Sequence, residues 1–485
     1  MKRYLAVDLG ASSGKAFLGS VSADRLVLEE VHRFTNQPVD IQGVSYWNIL
    51  ALYDNILQAL NKAAVQHGDV SAVGIDSWGV DFGLLDARGQ LLANPRHYRN
   101  MIGTETMGRV TDQLGKRWIF ERSPTQFQPF NTLYQLAQMV HDDAPVLEQA
   151  RTVLNIPSLL SYFLSGVMSA EFTMATTTQM YNPALGDWDG DLLNQAAIDP
   201  SLLPPIEAAG TVLGPLLPAV QESVGMAASV ILPTTHDTGA AVASIDPGKQ
   251  DTMFISTGTW CLAGMVLDEP RTTWDVVEHN FANEGCWGGQ YRLLYNGTGL
   301  WLVQQLLAQW RTTDPDWDYE KLTELARRAE PFVSIIDVNA PSLQKMGNME
   351  QSLRSVMNAP EDEITSGVLV RTALEGVALR MAWTRHALES ITGCKIRRVH
   401  MLGGGIRNEL LCQFVANATN LPVITGPVEA TAVGNLLGQM AAAGEIASMD
   451  EGQQLVARSM AGPSYEPRDQ RLWEEAYGAF RTMID

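Results

Sequence analysis

The sequence predicts an α/β protein built from two related domains. At 485 residues the chain is longer than one hydrophobic core usually supports, so two domains are the starting expectation. Two segments, one at the N-terminus and one near residue 253, share the order strand, Gly/Ser/Thr turn, strand. A helical segment and a further strand follow each of them. This duplication favours two similar α/β domains over an array of short repeats.

In the first half, apolar runs bounded by Gly, Ser and Asp predict strands, and one longer segment has helical spacing. Its apolar residues recur every three to four positions, beginning with Ile49, Leu52 and Ile56. The first strand runs into Asp8, and the strand after the helix runs into Asp76. The predicted elements are strands over residues 4–7, 15–21, 26–28, 31–34 and 70–75 and a helix over residues 49–65.

The second half repeats the opening pattern, with the turn Thr257-Gly258-Thr259 between two strands. A polar stretch, Pro247-Gly248-Lys249-Gln250, predicts the domain boundary. We therefore expect an N-terminal domain over residues 1–246, a C-terminal domain over 247–450 and a helical segment over 451–485 that packs on the body. The predicted elements are strands over residues 253–256, 260–266, 399–402 and 422–424 and helices over 300–309, 363–392, 408–419 and from 430 onwards.

The composition excludes several classes of protein. A formal net charge of −20 argues against a nucleic-acid partner, because the phosphodiester backbone is bound by clustered Lys and Arg. Four cysteines without a CxxC pair are typical of a reduced compartment. Asp8 interrupts the N-terminal apolar run too early for a signal peptide, and no apolar run reaches the roughly 18 residues that span a bilayer. We expect a cytoplasmic protein with neither a nucleic-acid nor a membrane partner.

The turn Asp8-Leu9-Gly10-Ala11-Ser12-Ser13-Gly14-Lys15 is the first candidate for function, because backbone N–H groups in such a turn can hold phosphate. It formally contains G-x-S-x-G, but the α/β-hydrolase elbow precedes a helix, and here a strand is predicted. It is too short for a Walker A loop, and Ala16 stands where Ser or Thr would hold Mg²⁺. A plain surface hairpin remains the alternative, which the recurrence of a similar turn in the second half weakens.

Asp237 lies in a loop of small residues, Thr235-His236-Asp237-Thr238-Gly239, shortly before the second turn. Such a carboxylate can take a proton from a hydroxyl group, or it can cap a helix that begins at Thr238, and both interpretations stay open. His236 is more typical of a supporting or core position than of a base. The eight His residues are too scattered to suggest a zinc site.

Gly403-Gly404-Gly405 follows a predicted strand. Each glycine in ordered structure costs about 0.5–1 kcal/mol of conformational entropy, so three in a row need a reason. Entry into a helix is one explanation of the triplet, and close approach of an adenine or a ribose is another. It is a weak signal alone and a stronger one together with the two turns.

These segments together resemble the FGGY carbohydrate kinases of the actin/sugar kinase/Hsp70 superfamily. The resemblance covers nearly the whole chain and thins over residues 313–362 and toward the C-terminus. It implies an α/β fold of two actin-like (ribonuclease H-like) domains with an interdomain cleft. Other segments resemble, within that family, the subfamily that phosphorylates L-rhamnulose. The segments concerned are residues 8–14, 75–81, 236–238, 256–260 and 403–408 for the family and residues 129–136, 175–179, 283–285 and 426–430 for the subfamily.

The resemblance also implies roles for individual residues. Asp237 would be the general base, and Asp8 would hold Mg²⁺ through water. The N-terminal domain would bind the sugar and the C-terminal domain the adenosine. One departure is Tyr98-Arg99-Asn100, where relatives carry Asp at the third position, followed here by Met101-Ile102; it leaves the exact sugar open. The implied ATP contacts are Ala11, Ser12, Ser13, Gly14, Lys15, Thr259, Gln304 and Gly404, and the implied ketose contacts are Gly79, His236, Asp237, Thr238 and Asn296.

The implied activity is ATP-dependent phosphorylation of the C1 hydroxyl of a deoxyketose, foremost L-rhamnulose, in the breakdown of L-rhamnose. The partners would be a small sugar and ATP with Mg²⁺, and the assembly a monomer or homodimer. L-Fuculokinase or another ketose or polyol kinase of the family is the nearest alternative, which a substrate panel would separate. An actin- or Hsp70-like ATPase is the alternative from another class, since one fold hosts many functions. Sugar-stimulated turnover of ATP would exclude it.

Overall fold

The computed structural model describes residues 2–22, 24–100, 102–246, 251–345 and 347–484. The predicted boundary at 247–250 and Met101 of the departing segment lie outside the described residues. The chain divides into two compact units. The first contains Met1–Asp246, Val266–Leu293 and Ala430–Met460, and the second contains Pro247–Met265, Leu294–Glu429 and Ala461–Asp485. The predicted domain limits, which follow the chain without interruption, stay a prediction.

The elements follow the predicted order, with ends that differ by a few residues. One difference is larger, because residues 26–28 and 31–34 belong to one long strand and not to two. The strands are β1 (Tyr4–Leu9), β2 (Ser13–Ser22), β3 (Arg25–Thr35), β4 (Val39–Ile41), β5 (Val44–Tyr46), β6 (Ala72–Ser77), β7 (Phe82–Leu85), β8 (Thr152–Asn155), β9 (Ala170–Glu171), β10 (Tyr181–Asn182), β11 (Asp187–Trp188), β12 (Ile206–Glu207), β13 (Val212–Pro215), β14 (Ser229–Ile231), β15 (Thr252–Thr257), β16 (Trp260–Leu267), β17 (Phe281–Gly285), β18 (Tyr291–Thr298), β19 (Arg398–Leu402), β20 (Val423–Thr425) and β21 (Ser464–Tyr465). The helices are α1 (Ile49–His67), α2 (Thr104–Leu114), α3 (Lys116–Arg122), α4 (Thr132–His141), α5 (Pro145–Gln149), α6 (Ile156–Ser165), α7 (Phe172–Ala175), α8 (Gly190–Gln195), α9 (Pro218–Val224), α10 (Asp237–Ala243), α11 (Trp274–Glu278), α12 (Trp301–Arg311), α13 (Tyr319–Arg328), α14 (Met349–Val356), α15 (Ser366–Thr392), α16 (Glu409–Thr419), α17 (Ala430–Ala442), α18 (Met449–Met460) and α19 (Gln470–Ile484).

The first unit is built on a six-stranded sheet with the order β13-β14-β6-β1-β2-β3. β1 lies between β2, which is antiparallel to it, and β6, which is parallel. Alternate residues of a strand face opposite sides of the sheet. In β1, Leu5 and Val7 belong to a core with α1, whereas Tyr4 and Ala6 belong to a core with α17. Asp8 continues the second series, so its side chain lies on the α17 face.

The second unit repeats this arrangement in a sheet that contains β16, β15, β19, β20 and β21 side by side in that order. Its central strand β15 is antiparallel to the hairpin partner β16 and parallel to β19, as β1 is to β2 and β6. The predicted duplication of strand, turn and strand is therefore present. Within the described part of the chain, no helix combines the length and the hydropathy needed to cross a membrane.

Candidate active site

Two carboxylates lie side by side at the carboxyl ends of the central parallel strands. Asp8 of β1 and Asp76 of β6 are register partners. Asn435 of α17 donates from Nδ2 to Asp76 Oδ2 at 2.6 Å, whereas Asp76 Oδ1 is buried and has no hydrogen-bond partner among the described residues. Burial, and next the charge of Asp8, raise the pKa of Asp76 well above its usual range. A cation bound near Asp8 would offset this repulsion.

Magnesium fits this donor set if water and phosphate complete its coordination. Among the residues that the structure describes, no group of three or more His, Cys, Asp or Glu side chains is placed to hold a metal ion. Mg²⁺ usually keeps several waters and takes one or two carboxylates together with phosphate oxygens. The predicted contact of Asp8 through water is compatible with this preference and stays a prediction.

The first turn, between β1 and β2, has an exposed tip. Ala11 and Ser12 are exposed there, and the Gly10 N–H donates to the Ser13 carbonyl at 2.9 Å. Asn36 supports the turn, since its Nδ2 donates to the Gly10 carbonyl at 2.9 Å and its N–H to the Ser12 carbonyl at 3.0 Å. Because Ser13 begins a strand and not a helix, the hydrolase elbow is excluded.

Gly14 and Lys15 lead from this turn into β2. A Cβ on Gly14 would lie 2.1 Å from the ring of the half-buried Phe34, so that ring would have to move to admit a larger residue. Lys15 is the register partner of Asp8. The five predicted ATP contacts, residues 11–15, thus form one continuous segment, and Asp8 lies beside its last residue, Lys15.

The loop with Asp237 lies against the end of β6. The Ser77 N–H donates to the Thr235 carbonyl at 2.9 Å, and Ser77 forms a parallel bridge with His236. α10 begins at Asp237 itself. The capping interpretation required Asp237 to precede a helix that begins at Thr238, so it is wrong. Asp237 Oδ1 accepts the N–H of Thr238 at 2.6 Å. The carboxyl group therefore lies at a helix N-terminus beside the strand that carries Asp76.

The pKa of the Asp237 carboxyl group is raised toward neutral pH. Burial, then the charge of Asp8, and less strongly that of Glu284, raise its pKa to about 7, although the Thr238 N–H and Arg292 act in the opposite direction. The side chain keeps 28% of its exposure, so a ligand can reach it. A reachable carboxyl group with a pKa near the working pH has the properties of a general base.

A buried arginine holds both neighbours of Asp237. Burial, and next the charge of Arg292, lower the pKa of His236 well below its usual range, so this imidazole is neutral. The fully buried Arg292 donates to the Thr238 hydroxyl at 2.7 Å and pairs with Glu284 at 3.0 Å. The predicted sugar contacts His236, Asp237 and Thr238 therefore form one supported group.

Gly79, the next predicted sugar contact, lies in the loop after β6. Its neighbour Val80 has a φ of 68°, which is strained for a β-branched residue, and Thr132 Oγ1 donates to the Val80 carbonyl at 2.7 Å. A Cβ on Gly79 would lie 3.1 Å from Thr177 Oγ1. Glycine thus lets this strained loop lie close to Thr177.

Three segments that suggested the subfamily are joined within the first unit. Asn131 Nδ2 donates to Gln179 Oε1 at 2.9 Å. The Gly285 N–H donates to Thr176 Oγ1 at 2.7 Å. These two hydrogen bonds join residues 131, 176–179 and 285, which are far apart in the chain, into one group that we call the connected support.

The second turn and its helix lie in the second unit. Thr259 Oγ1 donates to Gln304 Oε1 of α12 at 2.9 Å, which brings two predicted ATP contacts together. The Gly258 N–H donates to the Trp260 carbonyl at 2.9 Å and closes the turn.

The glycine triplet has a structural reason that the sequence did not reveal. A Cβ on Gly403 would lie 3.0 Å from the Thr257 carbonyl oxygen, and one on Gly405 would lie 2.5 Å from Thr257 Cγ2. Two of the three glycines are thus required by the second turn itself. Gly404 is exposed with open space around its Cβ position, so it alone is left to face a ligand.

Asn296, the remaining predicted sugar contact, belongs to β18 in the second unit. Its Oδ1 is buried and has no hydrogen-bond partner among the described residues. Buried polar atoms are usually paired, so this oxygen can accept a hydrogen bond from a ligand.

Sequence reasoning assigned no role to Asp76, Glu284 or Arg292. Asp76 entered only as the end of a strand and as part of a segment that resembles the family. Arg292 gave a usable signal, since it interrupts the apolar run Tyr291-Arg292-Leu293-Leu294-Tyr295, and a charge in a buried strand needs a partner. The identity of that partner could not be read from the sequence.

Comparison with protein families gives two matches that together span most of the chain. The N-terminal domain of the FGGY family of carbohydrate kinases matches residues 3–243, and the C-terminal domain of that family matches residues 253–443. A rhamnulokinase of Bacteroides thetaiotaomicron is 35% identical over 486 residues, which cover 100% of this chain and 99% of the relative. A rhamnulokinase of Bacillus subtilis is 34% identical over 470 residues, covering 96% of each chain.

Solved structures give the same fold. A xylulose kinase from Lactobacillus acidophilus aligns with a TM-score of 0.84 at 16% identity, covering 100% of this chain and 98% of that one. A glycerol kinase from Plasmodium falciparum, with ADP, aligns with a TM-score of 0.81 at 15% identity and the same coverage. At such identities the likeness concerns the fold alone. The predicted α/β fold of actin-like domains is confirmed.

Proposed function

Because the chain belongs to the FGGY family of carbohydrate kinases, and is therefore a phosphotransferase that acts on an alcohol group, we propose that it phosphorylates the C1 hydroxyl of L-rhamnulose. The products are L-rhamnulose 1-phosphate and ADP. We propose that this reaction is a step in the breakdown of L-rhamnose. Full-length relatives at 34–35% identity that are described as rhamnulokinases support this substrate. The observation that carries the chemistry is the reachable Asp237 carboxyl group with its pKa of about 7.

Asp237 acts as the general base of this reaction. It takes the proton of the sugar hydroxyl while that oxygen attacks the γ-phosphorus of ATP, and the bond from phosphorus to the bridging oxygen of ADP breaks. A base with a pKa near the working pH is deprotonated often enough to start and basic enough to accept the proton. Positioned bases of this kind contribute roughly 10²–10⁴-fold to turnover.

In this proposal ATP contacts the residues that the sequence predicts for it. Ala11, Ser12, Ser13, Gly14 and Lys15 contact phosphate, which backbone N–H groups of such turns can hold. Thr259, Gln304 and Gly404 are the further nucleotide contacts that we assign. A divalent metal accompanies ATP in this family, and we assign Mg²⁺ to Asp8 through water, where it neutralises phosphate charge.

We assign the sugar contacts to four residues besides Asp237. His236, Thr238 and Gly79 contact the sugar beside the base, and Asn296 contributes its unpartnered Oδ1. A hydrogen bond from a sugar hydroxyl would satisfy Asn296 Oδ1, which is buried and has no partner among the described residues.

Replacement of Asp237 tests this proposal. Asp237→Asn keeps the shape and the acceptor for the Thr238 N–H but cannot take a proton. We expect turnover to fall by roughly 10²–10⁴-fold while the Kd of ATP and of sugar change by less than a few-fold. Sugar-dependent formation of ADP and isothermal titration calorimetry provide the two measurements.

Asp318→Asn is the matched control, because Asp318 also serves a helix start, where its side chain accepts the Lys321 N–H, but it is exposed. That variant should keep wild-type turnover. Near-normal turnover of a folded Asp237→Asn variant would reduce Asp237 to a structural residue, and ATP turnover that ignores sugar would contradict the kinase assignment.

A further inference from the structure

Arg292 is a group of this site that the proposed reaction does not use. Its guanidinium nevertheless has four hydrogen-bonding partners. The guanidinium lies in β18 with an exposed fraction of 0%. Its Nε donates to the Gly285 carbonyl at 3.1 Å, and its Nη1 donates to Thr238 Oγ1 at 2.7 Å. Its Nη2 lies 3.0 Å from both Glu284 Oε2 and His236 Nδ1. A buried cation with four fixed partners is placed with high precision.

The contact with His236 determines where the imidazole carries its proton. A guanidinium has donors and no acceptor, so His236 Nδ1 must accept from Arg292 and cannot carry a hydrogen. The neutral ring then carries its hydrogen on Nε2. Glu284 Oε2 also lies 3.4 Å from Nδ1, but its closer partner is Arg292, which satisfies that oxygen.

The Nε2 hydrogen of His236 faces the catalytic carboxyl group. Nε2 lies 3.5 Å from Asp237 Oδ1, a long contact of the kind that tightens when substrates bind. The Thr238 N–H donates to the same oxygen at 2.6 Å. Both donors therefore converge on Oδ1, and no described residue donates to Oδ2. Oδ2 is the oxygen left to take the proton of the sugar.

We propose that Arg292 is a positioning residue that fixes His236 as the Nε2–H tautomer and thereby orients Asp237 with Oδ2 toward the sugar hydroxyl. This inference rests on the proposed role of Asp237 as general base. It assigns a purpose to the Arg–Glu pair beyond stability, because a buried ion pair is by itself often no more stable than apolar residues of the same volume. Arg292 acts through His236 and does not touch the reacting atoms.

Two variants separate positioning from charge and from folding. Arg292→Lys keeps the positive charge, but an ammonium has only three hydrogens and cannot donate to all four partners of Arg292. The double variant Arg292→Met, Glu284→Met removes both buried charges, which avoids an unpaired Glu284 and favours folding. Arg122→Gln is the control, because Arg122 also pairs with a buried carboxylate, Asp189, at 3.0 Å in the same unit.

The protonation of His236 is read directly by ¹⁵N NMR of histidine-labelled protein without substrates, with the signal assigned from a His236→Gln variant. We expect the wild-type and Arg122→Gln proteins to carry the hydrogen on Nε2, and both Arg292 variants to show a mixture of tautomers. With the best sugar, the Arg292 variants should lose about 10–100-fold in kcat with KM changed less than threefold, as misplaced catalytic groups do.

Several results would overturn the inference: a hydrogen on Nδ1 in the wild type, unchanged tautomer in both Arg292 variants, or unchanged kcat. Loss of thermal stability with an unchanged tautomer would show a merely structural residue and would also overturn it. The NMR measurement needs no sugar. If no sugar supports turnover, the proposed function fails while the tautomer result still decides the role of Arg292.

Discussion

The side-chain amide of Asn100 is paired on both sides with the backbone of Ser45. The Ser45 N–H donates to Asn100 Oδ1 at 2.9 Å, and Asn100 Nδ2 donates to the Ser45 carbonyl at 2.8 Å. Only an amide can accept and donate in this way, because a carboxylate has no hydrogen to give. The asparagine that departs from the family pattern thus holds the turn at Tyr98–Asn100 against β5. Both of its polar atoms are engaged with backbone.

Asn100→Asp should therefore weaken the fold and leave the choice of sugar unchanged. One hydrogen bond is lost, and a carboxylate oxygen faces the Ser45 carbonyl, so we expect a loss of about 1–2 kcal/mol in the free energy of unfolding. Asn48→Asp is the control, since Asn48 only accepts, from the Ala51 N–H, and aspartate does this equally well. Urea unfolding measures stability, and a changed order of kcat/KM among sugars would place Asn100 at the sugar after all.

Gly434 of α17 should be intolerant of any side chain. A Cβ there would lie 1.7 Å from the carbonyl oxygen of Ala240 in α10, the helix that begins at Asp237. We expect Gly434→Ala to destabilise the protein by about 1–3 kcal/mol, the usual range for overpacking. Displacement of α10 should also lower kcat by about tenfold or more, because Asp237, the proposed base, moves with its helix.

Gly478→Ala provides the contrasting substitution. Gly478 lies inside α19, and no described residue comes within contact distance of its Cβ position, so alanine should stabilise the helix by about 0.5–1 kcal/mol. Thermal unfolding and steady-state kinetics of both variants test the pair. Wild-type kcat in Gly434→Ala would show that α10 can shift without consequence.

The sequence was sufficient to predict features that depend on residues close together in the chain. It was insufficient for features that depend on residues far apart in the chain. Apolar runs and helical spacing located α1 and β1, because strand and helix periods are local properties. The packing reason for Gly434 depends on a helix almost two hundred positions away in the chain. The bond between Asn435 and Asp76 spans 359 positions, and no local pattern announces it.

Candidate site residues divide in the same way. The two turns were found because phosphate-binding loops have a local composition of small residues. Arg292 was missed because its role comes from groups on other elements, and Asp76 because its raised pKa comes from burial and from Asp8 on a neighbouring strand. Physical reasons that arise from tertiary contacts become visible only in the structure.

Asp81 should make the protein less stable as the pH rises. Its carboxyl group accepts from Trp47 Nε1 at 2.6 Å and from Trp78 Nε1 at 3.0 Å, but burial outweighs these bonds and raises its pKa to about 7. The unfolded chain ionises near the ordinary value, so between about pH 4 and pH 7 the unfolded state releases the proton first. Stability contributed by the protonated Asp81 is thus present below pH 4 and lost as the pH rises to 7.

Asp81→Asn does not titrate and should therefore gain stability over the wild type between pH 5 and pH 8, by an amount of a few kcal/mol at most. Asp86→Asn is the control, because backbone N–H groups lower the pKa of Asp86, so it is ionised in both states across this range. Urea midpoints at the two pH values give the differences. An Asp81→Asn difference that stays constant from pH 5 to pH 8 would refute the raised pKa.

The substrate gives the last prediction. Among L-rhamnulose, L-fuculose, L-ribulose, D-xylulose and glycerol, we expect L-rhamnulose to have the highest kcat/KM. The motivation is the connected support that joins Asn131 to Gln179 and Thr176 to Gly285, in segments that resemble the subfamily acting on this sugar. Sugars that differ at one hydroxyl present the same polar atoms in different places.

A site built to pair one hydroxyl leaves a buried group unpaired with the epimer, at a cost of about 1–3 kcal/mol. The buried Asn296 Oδ1, which has no partner among the described residues, is such a group. The preference for L-rhamnulose over L-fuculose should therefore be roughly tenfold or more. Asn296→Ala removes the oxygen that would be left unpaired, so it should narrow this preference by lowering kcat/KM for L-rhamnulose more than for L-fuculose. Equal efficiency of the wild type on the two sugars, measured by coupled detection of ADP, would overturn the assignment of L-rhamnulose while leaving the carbohydrate kinase intact.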